Sequence, residues 1–291
     1  MKPARFDYYD PTSLDEALRL LAQFGDTAKP LAGGQSLVPM MNMRLARPAQ
    51  LVDLNRLGEL DYLMVDNGQL RIGAMTRQRA LERSKIVAES WPLLQEAARY
   101  IGHVQIRNRG TVGGSLVHAY PSPLLPVVMA GLDATLVLRS EKSERLVRAE
   151  EFFVDVMTTV LQPDELLVEI RVPRTDQGNG WSFQEISRRH GDFALMGVAA
   201  IITPDASGNV GGARLVFTGA TPARSRKAEA LLIGKPAHRD LFMEAGRGAA
   251  AALVPETDIH ATAQYRKEVA AVLGCRALEQ AAGRAFQKIG N

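Results

Sequence analysis

The chain has 291 residues, 46% hydrophobic and 23% charged, which is enough apolar matter for one or two buried cores. Lys and Arg number 35 against 32 Asp and Glu, a net charge of +3. The short basic groups at Arg107 and Arg109, at 188–190 and at 224–227 therefore read as solvated faces, not as a nucleic-acid surface. A single cysteine, Cys275, excludes an internal disulfide and an iron–sulfur cluster, which needs about four thiolates, and the five histidines lack metal-ligand spacing, so no metal site is expected.

Ser13 followed by Glu16 is a capping-box pattern, and Leu14, Ala17, Leu18 and Leu21 then fall on one helical face. Gly25 and Asp26 end that helix. Residues 29–32 form an apolar strand candidate running into Gly33-Gly34, and Ser36 is placed to cap a helical stretch over 37–43. Residues 51–54 read as a strand. Residues 63–65 and 69–72 flank Asp66-Asn67-Gly68, a hairpin signal. Residues 76–83 and 92–100 look helical. Residues 105–109 make a strand-like run into a second pair, Gly113-Gly114.

Residues 124–130 read as a buried helix, and 134–138, 145–147 and 166–172 as strands. The polar, glycine-rich stretch 173–180 marks a boundary. Beyond it, strands over 194–203 and 210–219 are joined by a hairpin loop at 205–209, and the alanine-rich end is helical over 224–232, 239–253 and 263–286. The pattern is α+β: an N-terminal region of about 175 residues, then a domain of strands followed by helices. No apolar run approaches the roughly 18 residues of a membrane span. The start lacks the apolar stretch of a signal peptide, so a soluble, cytoplasmic protein is expected.

The informative features are Ala32-Gly33-Gly34-Gln35-Ser36-Leu37 and Thr111-Val112-Gly113-Gly114-Ser115-Leu116. Glycine lets backbone N–H groups approach phosphate oxygens closely and adopts dihedrals that turn consecutive amides toward one anion. A following helix N-terminus adds favourable potential. Ser36, Thr111 and Ser115 could each donate a hydroxyl hydrogen bond. Two such turns from distant parts of the chain could clasp one diphosphate. Each is equally well a plain strand-to-helix connection taken singly. Neither is G-x-G-x-x-G, and neither ends in the Lys-Ser/Thr of a P-loop, so a nicotinamide-type Rossmann site is not supported. No Ser/His/Asp or paired-carboxylate constellation stands out, and no catalytic residue is assigned.

These residues resemble the medium, flavin-carrying subunits of the xanthine dehydrogenase and carbon monoxide dehydrogenase (molybdenum hydroxylase) family. Ala32-Gly33-Gly34-Gln35-Ser36-Leu37-Val38-Pro39 is similar to the family's first FAD loop, and Arg107-Asn108-Arg109-Gly110-Thr111-Val112-Gly113-Gly114-Ser115-Leu116 to the second. The opening Phe6-Asp7-Tyr8-Tyr9-Asp10-Pro11-Thr12-Ser13-Leu14-Asp15-Glu16-Ala17 and the segment Phe183-Gln184-Glu185-Ile186-Ser187-Arg188-Arg189-His190-Gly191-Asp192-Phe193-Ala194 fit in the same order. The resemblance implies an FAD-binding domain of the vanillyl-alcohol-oxidase type (PCMH-like) over residues 1–175, built of two α/β subdomains. A smaller C-terminal domain with an antiparallel sheet and helices would follow over 181–291.

It also implies an FAD-dependent electron-transfer subunit beside a small subunit with [2Fe–2S] clusters and a large molybdopterin subunit, in a heterotrimer or a dimer of heterotrimers. Substrate would be hydroxylated on the partner, and electrons would pass through FAD to an external acceptor. By the same resemblance the two turns hold the FAD diphosphate, while Ile101, Gly102, Leu161 and Phe193 stand near the flavin ring. Arg107, Arg109 and Arg188 are candidates for positive charge near it. Ile101, Leu161 and Phe193 are also readable as core residues, and His118 as structural.

Two departures stand out. His118-Ala119-Tyr120-Pro121-Ser122-Pro123-Leu124 has Tyr120 and Leu124 where relatives carry acids, and Ser187 stands where some carry a lysine. Two other readings stay open: a stand-alone flavin oxidoreductase of the same fold, and a flavin-free assembly subunit.

Overall fold

The computed structural model describes residues 1–120, 124–175, 178–219 and 221–287. Pro121, Ser122 and Pro123 of the departing segment, and Asp176 and Gln177 of the glycine-rich boundary, lie outside them. The chain forms two compact units, one of residues 1–81, 103–119 and 134–173, the other of 82–102, 120–133 and 174–291.

The first helix of the first unit, Leu14–Phe24, has a start that follows from its sequence. The Ser13 hydroxyl oxygen accepts the Glu16 amide, and Glu16 returns a carboxylate to the Thr12 amide at 2.9 Å, one residue earlier than a capping box would have it. Leu14, Ala17, Leu18 and Leu21 are buried, and Gly25 at φ 51 ends the helix. Asp7–Tyr9, Gln50–Asp53 and Ala28–Leu31 form a parallel three-stranded sheet in that order. A five-stranded antiparallel sheet follows, in the order Leu63–Asp66, Gln69–Gly73, Leu166–Val172, Thr135–Arg139 and Glu144–Arg148. Asn67 at φ 49 and Gly68 at φ 76 make the hairpin turn that the Asp-Asn-Gly signal requires. One core joins the helix to both sheets through Leu18, Leu21, Val52, Leu57, Val137 and Val168.

The run 105–109 is a helix, Val104–Arg109, and not a strand. Ile106 is exposed, and the buried residue of the run is Arg107. Arg107 is accordingly not on a solvated face.

The second unit is a four-stranded antiparallel sheet, Gly180–Ser187, Ala194–Pro204, Val210–Phe217 and Ala223–Arg224. One face is covered by the long helix Ala263–Phe286 with Arg239–Ala252 and Arg226–Leu232, the other by Pro92–Ala98 and Leu124–Gly131. Cover on both sides explains why Ala194–Pro204 is apolar almost throughout. Every residue of Leu124–Gly131 is buried. Arg224, in a basic group expected to be solvated, instead has a side chain 7% exposed, paired with Glu229 and Asp133. The helix Lys85–Ser90 and the strand Gly180–Ser187 were not among the expected elements. No helix among the described residues is long and apolar enough to cross a membrane.

Candidate functional site

The strand Ala28–Leu31 ends at Leu31, and the helix Leu37–Asn42 begins six residues later. Between them Gly34 sits at φ 72, a conformation glycine adopts without a Cβ penalty. The amides of Ala32, Gly33, Gly34, Gln35, Ser36 and Leu37 donate no hydrogen bond among the described residues. The first of the returning bonds is from Val38 N to Gly34 O at 3.2 Å. Gly33 is buried, so its amide is an orphan donor that calls for an acceptor from outside the chain. A run of consecutive unpaired amides around a left-handed glycine is the arrangement that receives an anion, and it fits the diphosphate of a dinucleotide. Ser36 is half-buried and makes no side-chain capping bond, which leaves its hydroxyl available.

The second glycine pair lies against the first. A Cβ on Gly33 would collide with the carbonyl oxygen of Arg109 and would stand 2.8 Å from Cα of Gly110. A Cβ on Gly114 would come within 3.5 Å of the Ala32 Cβ. The two turns do not act alike, however. Gly113 and Gly114 belong to the first turn of the helix Val112–His118, and their amides are already engaged. Gly113 N donates to Ala74 O at 2.9 Å, Gly114 N to the Thr111 hydroxyl oxygen at 3.0 Å, and Ser115 N to Thr111 O at 3.1 Å. The expectation that this pair turns its amides toward a phosphate is corrected. These glycines are there for closeness, since a Cβ on Gly113 would stand 2.6 Å from the Ala74 Cβ. Thr111, 2% exposed, caps this helix, its hydroxyl oxygen accepting the Gly114 amide. The hydroxyl of Ser115, half-buried, makes no hydrogen bond among the described residues.

Sequence reasoning missed the residues that hold the turns. Arg77 donates to Arg109 O at 2.6 Å and to the Asn55 side-chain oxygen at 2.8 Å. Asn55 donates in turn to Ala32 O at 2.9 Å. Gln78 N donates to Gly110 O at 2.9 Å. Their partners, mostly backbone atoms, are far away in sequence, so no local motif signals them.

Leu161 is in the first unit, half-exposed, in a loop tied down by Glu165. That carboxylate takes two bonds from Arg145, at 2.7 and 2.8 Å, and the amide of Gln162 at 2.9 Å. The Arg145 guanidinium lowers the Glu165 pKa. Ile101, Gly102 and Phe193 are in the second unit. Ile101 is half-buried, and Gly102 is left-handed at φ 47. Phe193 is 70% exposed, so it is not the core aromatic that it also resembled. Its ring lies 4.6 Å from that of Tyr120, tilted by 36°. Tyr120, one of the two departures from the family pattern, thus joins an exposed aromatic pair. Leu124, the other, is 9% exposed, and its Cδ2 would stand 3.7 Å from a Cβ on Gly197. Arg188 lies 3.2 Å from the His260 ring nitrogen on an exposed face. His118 is half-buried, with burial lowering its pKa.

Residues 4–175 match the family model of the FAD-binding domain in molybdopterin dehydrogenases, and residues 181–281 that of the carbon monoxide dehydrogenase flavoprotein C-terminal domain. The chain is 43% identical to the 6-hydroxypseudooxynicotine dehydrogenase complex subunit alpha of Paenarthrobacter nicotinovorans, over 98% of this chain and 97% of that one. It is 41% identical to the caffeine dehydrogenase subunit beta of a Pseudomonas strain, over 98% and 97%. A solved structure of the carbon monoxide dehydrogenase from Hydrogenophaga pseudoflava, in a form lacking the Mo-pyranopterin moiety of its molybdenum cofactor, superposes with a TM-score of 0.95. The identity there is 39%, over 98% of this chain and 99% of that one. Glycine turns, fold and full-length similarity agree: the chain belongs to the FAD-binding subunits of the molybdenum hydroxylase family, of the carbon monoxide dehydrogenase medium-chain type, and is an FAD-dependent oxidoreductase subunit.

Proposed function

We propose that this subunit receives electrons from [2Fe–2S] clusters on a small partner subunit and delivers them, through FAD, to an external acceptor. A large molybdopterin subunit would carry out the substrate hydroxylation. The names of its relatives, a "complex subunit" and a "medium chain", support a multi-subunit assembly. The single cysteine supports placing the clusters on another chain. The functional division would follow residues 1–175 and 181–291, in a cytoplasmic complex.

The observation that carries the reading is the unpaired amide run at 32–37. Bound FAD supplies the capacity to take up and release electrons singly or in pairs, while the protein supplies binding and orientation. The amides of residues 32–37 would hold the diphosphate, assisted by the Ser36 and Ser115 hydroxyls. The second turn, with Gly113 and Gly114, would back the first by close packing. Phe193 would offer a flat apolar face to the ring system, with Ile101, Gly102 and Leu161 as further neighbours. No side chain of this subunit has to act as an acid, base or nucleophile.

The test is to purify the chain with the proteins encoded beside it and record the visible spectrum before and after substrate. Flavin bands that bleach on substrate addition, in a complex containing molybdenum and iron, are expected. A colourless chain in an active complex would overturn the reading.

A further inference from the structure

We propose that Arg77 is the positioning residue that locks the two glycine turns into one frame for the FAD diphosphate. This rests on the reading that the amides of residues 32–37 hold that group. Arg77 lies between the strand Gln69–Gly73 and the helix Gln78–Arg83. One arm of its guanidinium holds the Arg109 carbonyl at 2.6 Å. That oxygen is the atom against which Gly33 packs. The other arm holds the Asn55 side-chain oxygen at 2.8 Å, and Asn55 holds the Ala32 carbonyl at 2.9 Å. A single planar fork therefore holds the peptide just before Gly110 directly and the peptide just before Gly33 through Asn55. The main chain reinforces the link, since Arg77 bridges Thr111 in antiparallel register.

The charge is also unusual. Among the described residues Arg77 makes no ion pair. Asp53 and Asp61 are near enough to act on it, yet burial and the neighbouring Arg109 outweigh them and lower its pKa. A partly desolvated cation without a paired carboxylate favours an anion nearby. Lysine could carry that charge but cannot reproduce the two-armed geometry.

The experiment uses the full chain, stripped of flavin and titrated with FAD by the quenching of flavin fluorescence. Wild type is compared with Arg77→Ala, Arg77→Lys and Asn55→Ala. Thermal unfolding without FAD and the hydrogen-exchange protection that FAD confers on residues 32–37 are measured in parallel. Arg77→Ala and Arg77→Lys should both weaken FAD binding roughly ten- to hundredfold, the scale of losing charge-assisted hydrogen bonds. Asn55→Ala should weaken it about tenfold. All three should lose protection at residues 32–37 while keeping a cooperative unfolding transition.

Wild-type affinity in Arg77→Lys would show that charge alone suffices and would overturn the positioning role. So would wild-type affinity in Asn55→Ala, a result that stands even if Arg77→Ala fails to fold. A wild-type chain that binds no FAD would sink the underlying reading. A binding wild type with unaffected variants would sink this inference alone.

Discussion

Gly33 packs face to face against the carbonyl oxygen of Arg109, residues 76 positions apart in the chain, with no room for a side chain between them. The neighbour that a Cβ would strike is backbone, and the adjacent Gly110 Cα at 2.8 Å is backbone too. Neither can swing aside as a side chain would. Gly33→Ala should therefore cost about 1–3 kcal/mol of stability by overpacking and should abolish FAD retention. Gly34→Ala is a useful contrast. Its φ of 72 carries a left-handed penalty of about 1–2 kcal/mol, but its nearest obstacle is the Val38 side chain at 3.2 Å, which can give way. Thermal melts and the flavin-to-protein ratio of the purified variants check both. Equal retention of flavin by Gly33→Ala and wild type would contradict the account.

Phe193 presents the opposite situation. A ring 70% exposed contributes little to the folded state, and its contact with Tyr120 is partly solvated. Phe193→Ala should change the stability of the flavin-free chain by no more than about 0.5 kcal/mol. If the ring faces the isoalloxazine, the same change should weaken FAD binding severalfold and diminish the quenching of flavin fluorescence. A variant that loses stability without FAD, yet binds and quenches normally, would assign Phe193 to the core.

What could be read from sequence follows how local each signal is. The Ser13 cap with its stripe of Leu14, Ala17, Leu18 and Leu21 needs only neighbours in sequence, and so does the Asp66-Asn67-Gly68 turn, which demands two residues of positive φ. Gly33 and Gly34 stood out because a strand running into paired glycines is a short pattern. That the Arg109 carbonyl packs against Gly33 could not be read, because that contact is tertiary. The run 105–109 is too short for periodicity to separate helix from strand, and it is helical. The engagement of the Gly113 amide by Ala74, and the roles of Arg77 and Asn55, depend on a fold that brings residues 55, 74–78 and 109–114 together. No spacing rule contains that information.

Arg224 shows how burial reverses a reading based on charge. Its guanidinium donates to both oxygens of Glu229, at 2.9 and 3.1 Å, and to Asp133 at 2.9 Å. Glu229 also accepts the Leu215 amide at 3.0 Å. Glu229→Ala removes the principal partner of a cation whose side chain is 7% exposed, and leaves a buried amide without an acceptor. Loss of about 3–5 kcal/mol is expected, the scale of breaking a buried pair from one side. Denaturant unfolding should show it, and the double variant Arg224→Met with Glu229→Leu should recover most of the loss. Failure of that recovery would mean that the Leu215 amide, and not the charge, dominates.

Glu185 makes a prediction about pH. On the strand Gly180–Ser187 it lies opposite Gly197, with the Ser187 hydroxyl donating to Oε1 at a long 3.4 Å. Its Oε2 is buried and has no partner. Burial pushes its pKa up to about 7, against a weaker opposing effect of the Ser187 hydrogen bond, and Tyr100 is the titratable neighbour that feels its charge. In the unfolded chain the group would titrate near 4.5. Between these values the folded state holds a proton that the unfolded state has released, so stability falls as pH rises from about 4.5 to about 7 and then levels off. By linkage the penalty above pH 7 is about 3 kcal/mol, less whatever solvent screening relieves at the exposed part of the group. Glu185→Gln cannot ionise, so its stability profile should lack this decline, and the two profiles should differ more at pH 8 than at pH 4.5. Thermal melts of both proteins across that range provide the measurement. Parallel profiles would mean that Oε2 finds a donor or a cation in solution and stays ionised in the folded protein.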